Sequence, residues 1–139
     1  MTSNLLLAAI AALCLAACQS TLATLAPSRP ESSVVFADRG AEVRAKHYRD
    51  VAEDCSNRGY ANVAIALEPR SGRIELRREG AVPSFAADNP RFKCNQRRVE
   101  GVGVYYIPNP GFVGGDRFTI EVIWADGGRW TEDFTIQVR

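Results

Sequence analysis

The chain has 139 residues and carries 17 basic against 16 acidic side chains, for a net charge of +1. That length accommodates one domain with its own core rather than several. A single histidine and four cysteines leave little material for a metal centre or a catalytic triad.

In chain order, residues 1–28 contain no Asp, Glu, Lys or Arg, and residues 5–17 are Leu, Ala, Ile or Cys throughout. Such a run is too short to span a bilayer as a helix but suits the apolar region of a secretory signal. It closes on "LAAC", where Cys18 follows Ala16 and Ala17, and this resembles the bacterial lipobox. The resemblance implies a signal peptide over 1–17, cleaved before a diacylated Cys18. "MTSN" departs from the usual pattern in having no Lys or Arg, and an uncleaved apolar anchor or ordinary secretion is the alternative. Two or three acyl chains at about 0.8 kcal/mol per buried methylene far exceed the hold of a single myristoyl group. Gln19 stands where the inner-membrane retention signal of enteric bacteria has Asp, so the expected site is the periplasmic face of the outer membrane, ahead of the inner membrane or secretion.

Residues 18–33 then read as the lipidated cysteine and a flexible tether rich in Ser, Thr, Ala and Pro, leaving 34–139 as the folded domain. Cys14 leaves with the signal and Cys18 is lipidated, so Cys55 and Cys94 remain as a disulfide pair suited to an oxidising compartment. Metal binding is the rival reading, but two distant cysteines and His47 fall short of a tetrahedral set.

Within the domain, residues 34–60 are the least patterned. Val43, Ala45 and His47 fit a strand, while Tyr48, Val51, Ala52 and Cys55 share a helical face that Gly59 ends, which predicts a strand followed by a short helical turn. "NVAIAL" places Val63, Ile65 and Leu67 on one face, and "RIELRR" alternates Ile74 and Leu76 with charged residues, so "EPRSGR" between them predicts a hairpin. Residues 79–92 have no sustained period and read as a long connection to Cys94. Three more strands follow over 102–107, 117–124 and 130–138, the last two joined by a glycine-rich turn at "ADGGR". Phe118, Ile120, Val122 and Trp124 share one parity, as do Trp130, Phe134, Ile136 and Val138. The pattern predicts an all-β antiparallel sandwich.

The stretch "VYYIPNPGFVGGDRFTIEVIWADG" reads as a strand, a corner and a strand. Pro108 and Pro110 end the first strand, Gly111 and Gly114 allow unusual backbone angles, Phe112 can turn inward, and Asp116 can accept turn amides. A phosphate cradle would need a helix after the glycines, and a strand follows instead. Tyr106, Pro108, Gly111, Phe112, Gly114, Asp116, Phe118, Asp126 and Gly127 match the consensus of bacterial immunoglobulin-like and cadherin-like repeats, which this region resembles, as "PRSGRI" resembles their Pro-x-x-Gly-x-Val hairpin. The resemblance implies an immunoglobulin-like sandwich and says little about function. Such repeats come in tandem in adhesins, whereas this chain holds one unit. Cadherin relatives bind calcium, but the multi-carboxylate loop that calcium needs is absent here.

His47 has no serine or cysteine partner that the sequence picks out, and the acid pairs Glu53-Asp54 and Glu132-Asp133 read as solvated strand edges rather than a glycosidase pair. No enzyme activity, cofactor or metal is expected. Charge is more informative: over residues 70–98, Arg70, Arg73, Arg77, Arg78, Arg91, Lys93, Arg97 and Arg98 face three acids, whereas residues 99–139 hold three basic residues against six acids. These eight residues form a candidate basic interface for an envelope protein or an anionic envelope polymer. Nucleic acid is not expected in that compartment. The sequence therefore points to a non-enzymatic lipoprotein acting as a binding or assembly module, with an inhibitor or accessory subunit of an envelope enzyme complex as the alternative.

Overall fold

The computed structural model describes residues 31–139, so the signal, Cys18 and the tether up to residue 30 lie outside the described residues. Seven strands follow in order: β1 (Glu31–Ala37), β2 (Val43–Tyr48), β3 (Asn62–Leu67), β4 (Gly72–Ala81), β5 (Val99–Pro108), β6 (Gly114–Ile123) and β7 (Arg129–Val138). They form two sheets, ordered β1-β7-β6-β3 and β2-β5-β4, packed face to face as a β-sandwich. One pairing departs from the purely antiparallel expectation, because β1 runs parallel to β7. β1 also begins at Glu31, three residues inside the stretch read as tether.

The core lies between the sheets. Tyr106, Phe118, Ile120, Phe134 and Ile136 are its largest fully buried apolar side chains, and their alternating inward positions match the period of two along β5, β6 and β7. Tyr106 stacks on Phe118 at 6.3 Å and Phe118 on Phe134 at 4.7 Å, so three strands from both sheets share one aromatic column. Each such side chain contributes about 1.5–3 kcal/mol by leaving water. The β6–β7 turn follows the sequence reading: Gly127 has φ +86° and the Asp126 carboxylate accepts the Gly128 amide at 2.8 Å.

Two β-bulges reset the alternation. On β2 the register with β5 shifts between Arg44 and Lys46, so Arg44 and His47 point outward while Lys46 and Tyr48 turn inward. The expected Val43, Ala45, His47 face therefore breaks at Ala45. On β3 the register with β6 shifts between Ile65 and Leu67, leaving Val63 and Ile65 on the core but Leu67 49% exposed.

The predicted β3–β4 hairpin is not formed, since β3 pairs with β6 and β4 with β5 in the opposite sheet. Residues 68–71 cross between the sheets because the corner holds them: the Asp116 carboxylate accepts the amides of Arg70 and Ser71, and the Asn109 amide donates to the Ser71 carbonyl.

The short helical turn expected near Cys55 is also absent. Residues 49–61 form a loop with one bridge, Val51 to Asn57, closed by the Ala52 amide to the Ser56 carbonyl and by the Ser56 amide and hydroxyl to Asp54. Cys55 sits at φ +69°, outside the right-handed helical region, where it reaches Cys94. The long connection before β5 carries a single 3-10 turn, Phe92–Gln96.

Candidate functional site

The corner residues come together as a structural clasp. Both oxygens of Asp116 are occupied: Oδ1 accepts the Arg70 and Arg117 amides, and Oδ2 accepts the Ser71 amide and the Tyr106 hydroxyl. Burial pushes the carboxyl upward, but these four donors outweigh it and hold its pKa below the ordinary carboxylate value. Gly111 and Gly114 have φ of +79° and +127°, Phe112 packs against the core, and Pro108 is buried. With its acceptor capacity spent on the fold, Asp116 is a tie between the sheets rather than a cation ligand. Among the described residues no group of three His, Cys, Asp or Glu side chains is placed to hold a metal ion.

The eight basic residues divide among four places. Arg73 and Arg77 belong to a charge-balanced lattice on the outer face of the β2-β5-β4 sheet. Arg77 pairs with Glu42 at 2.7 Å and Glu75 at 2.6 Å, Arg73 with Glu75 at 3.3 Å, and Arg44 with Glu79 at 3.1 Å. Arg70 lies at the Asp116 corner, and Arg78 lies over the Tyr60 ring at 4.8 Å. The remaining four, Arg91, Lys93, Arg97 and Arg98, belong to the connection before β5. The eight do not form one face.

That connection and the Cys55 loop build a cap on one end of the sandwich. The disulfide joins Cys55 to Cys94 with Cα atoms 5.3 Å apart, within the usual range. Around it Val51, Cys94 and Val99 form a second, small buried cluster against which Phe85 packs. Asn95 clamps the loop by donating to the Phe85 carbonyl and accepting the Phe85 amide, both at 2.9 Å. Arg91 reaches across to the Val51 carbonyl at 2.6 Å, and Arg98 donates to the Gly80 carbonyl. Lys93 and Arg97 are exposed and take part in no ion pair among the described residues. Beside them Phe92 and Val82 are 49% and 52% exposed. The cap thus presents Lys93 and Arg97 on a pinned backbone beside exposed Phe92, with the exposed acids Glu53, Asp54 and Asp88 on the same loops.

A second cluster was not legible in the sequence. Glu132, read there as a solvated strand edge, is fully buried. Its Oε1 accepts the Ser33 hydroxyl at 2.8 Å and Lys46 Nζ at 3.0 Å, and its Oε2 accepts the Tyr48 hydroxyl at 2.7 Å. Burial, and then the neighbouring Glu132, push the Tyr48 hydroxyl far above the ordinary tyrosine value, so it stays protonated. Tyr48 also meets Trp124 edge-on at 6.4 Å, and Trp124 meets Trp130 at 5.5 Å. The parity of Glu132 with Trp130 and Phe134 was the available signal, and its charge hid it. Asp133 points the other way and accepts the Thr119 hydroxyl at 2.7 Å, so the two acids lie on opposite faces of β7.

His47 lies on the outer face with Nε2 3.0 Å from the Glu79 carbonyl, and burial lowers its pKa below the ordinary histidine value. Its ring lies over Gly101, where a Cβ would collide with that ring and with the Tyr48 carbonyl.

The fold and the cap define a β-sandwich with a disulfide-pinned cap at one end. Compared with family models, curated proteins and solved structures, the chain has no match.

Proposed function

We propose that this chain is a cell-envelope lipoprotein whose single immunoglobulin-like domain works without catalysis, as a binding or assembly module held by Cys18 at the periplasmic face of the outer membrane. The lipobox-like "LAAC" supports the anchor, and the corner motif together with the strand order β1-β7-β6-β3 and β2-β5-β4 supports the immunoglobulin-like assignment. The observation that carries the binding role is the cap, where Lys93 and Arg97 stand beside exposed Phe92 on a loop fixed by the disulfide and Asn95. A fixed loop loses little conformational entropy on binding, which favours its use as a contact surface. Its partner is an envelope protein or an anionic envelope polymer.

The same rigidity supports a second reading, in which the cap blocks or positions an envelope enzyme. One experiment addresses both: in-cell crosslinking and purification of the full chain, beside Cys18→Ala and Lys93→Glu/Arg97→Glu. Both charge reversals fall on exposed side chains that make no ion pair among the described residues. The expected result is one stoichiometric protein, lost in the charge-reversal variant; an enzyme whose activity changes on binding selects the second reading. Recovery of the same material from wild type and charge-reversal variant overturns the role of the cap, and an unmodified mature amino terminus other than Cys18 overturns the anchor.

A further inference from the structure

The longest unpaired strand edge in the described residues belongs to β4. All ten of its residues pair with β5 on one side, and β4 ends the sheet β2-β5-β4 on the other. A long, regular edge is a template for another strand unless it is blocked. Its sequence, "GRIELRREGA", has a property that the edge position makes meaningful. The outward residues Arg73, Glu75, Arg77 and Glu79 invert their charges on reflection about Leu76: Arg73 exchanges with Glu79, and Glu75 with Arg77.

We propose that β4 pairs antiparallel with β4 of a second copy of this chain, about a two-fold axis at Leu76. In that register each Arg73 faces Glu79 of the second copy and each Arg77 faces its Glu75, so four opposite-charge pairs form on one face of a continuous sheet ordered β2-β5-β4-β4-β5-β2. Directly opposed side chains in an antiparallel pair lie within reach of one another. The charges select this register. Centring the pair on Glu75 or Arg77 sets like charges against each other, and centring it on Ile74 or Arg78 halves the number of opposite pairs. The four side chains are paired within the chain, to one another and to Glu42, Arg44 and Tyr105, and exposures of 66% for Arg73, 39% for Glu75, 36% for Arg77 and 24% for Glu79 leave them able to share those pairs across the axis.

The inner face agrees. Leu76 points toward the core side of the sheet yet is 39% exposed, because nothing covers the gap between edge strands β3 and β4. That gap is an open groove of about 330 Å³ lined by Tyr60, Val63, Leu76 and Val102, with Arg78 at its rim. Two-fold pairing sets Leu76 against Leu76 and closes the groove with Ile74 of the second copy. The interface is isologous, the form that closes into a dimer rather than a filament. It leaves Lys93 and Arg97 free, meets the cap only at Tyr60 and at the Gly80 carbonyl that Arg98 holds, and does not rest on the lipid anchor.

The test is sedimentation of the detergent-solubilised full chain with two charge variants, and oxidative crosslinking of two cysteine variants. Arg73→Glu/Arg77→Glu makes the edge wholly acidic, and Glu75→Arg/Glu79→Arg makes it wholly basic. Each alone is expected to weaken self-association at least about tenfold, and their equimolar mixture to restore it as a heterodimer. Leu76→Cys, which leaves the charges intact, is expected to form an intermolecular disulfide under oxidation, whereas Ile74→Cys, facing Arg78 of the second copy, is not. A wild-type chain that stays monomeric at every concentration overturns the proposal. So do self-association that survives in either charge variant alone, and a Leu76→Cys variant that crosslinks only to another protein.

Discussion

Glu132 offers the sharpest test of how this sandwich is held together. Replacing it with alanine removes the one acceptor that the buried Tyr48 hydroxyl has among the described residues and the partner of Lys46, whose side chain is 36% exposed. A buried hydroxyl left unpaired costs about 1–3 kcal/mol, and removing one member of a buried ion pair typically costs about 3–5 kcal/mol in all. Lys46 can recover some water, which places the expected loss for Glu132→Ala near 4 kcal/mol. For a domain of this size that is roughly 15–30 °C of melting temperature. Urea unfolding with a fixed m-value is the assay. The companion variant Lys46→Met/Tyr48→Phe/Glu132→Leu removes both charges and the phenol hydroxyl together and leaves only the half-buried Ser33 hydroxyl. It is expected to lie within about 1 kcal/mol of wild type, since burying apolar groups in place of a buried ion pair is often neutral. A loss under about 1 kcal/mol for Glu132→Ala would refute the reasoning, because it would mean that water, not Glu132, satisfies Tyr48.

Removing the disulfide by Cys55→Ser/Cys94→Ser opens a loop with a sequence separation of 39 and is expected to cost about 4 kcal/mol in chemical denaturation, with protease cleavage appearing first in residues 82–98. Gly101→Ala places a methyl against the Tyr48 carbonyl and the His47 ring and is expected to lower stability by about 1–3 kcal/mol, whereas Gly111→Ala meets no atom and registers only its positive φ. The acid limb follows from the pKa directions. Asp116 lies below its unfolded value, so its contribution is full above the unfolded carboxylate pKa near ~3.9 and is lost as pH falls through the native one. His47 is also lowered, so protonation favours the unfolded chain and stability begins to fall below about pH 6.5. Asp116→Asn is expected to be less stable at neutral pH and to show a flatter melting-temperature profile below pH 4; an unchanged acid limb would show that other carboxylates carry it.

The parts of the fold written in plain alternation were legible. Over 102–108 of β5, 118–122 of β6 and 134–138 of β7 every second residue is apolar, and the corner of prolines and glycines marks where β5 ends and β6 begins. What failed were places where one residue changes the rule. A bulge adds a residue without leaving a compositional mark, and the two near Ala45 and Ala66 reversed the faces of Lys46 and Leu67. A turn of four residues reads the same whether it joins neighbours in one sheet or crosses to the other, and only the grip of Asp116 on Arg70 and Ser71, 45 and more residues away, decides between them. Basic residues close in sequence were read as one surface, yet alternation along β4 places Arg77 and Arg78 on opposite faces.

The pairing of β1 with β7 has a further consequence for how the domain comes into being. Among the described residues the first strand has a single neighbour in its sheet, and that neighbour is the last strand. A chain emerging from its amino terminus must therefore carry β1 unpaired until nearly every residue is available. Ser33, which donates to Glu132, waits for the same event. Contacts between chain ends close the largest loop of the domain and form slowly in all-β proteins. Completion of the sandwich is thereby a proofreading step: a chain truncated before β7 leaves β1 without a neighbour, Lys46 and Tyr48 without their carboxylate, and the aromatic column without Phe134.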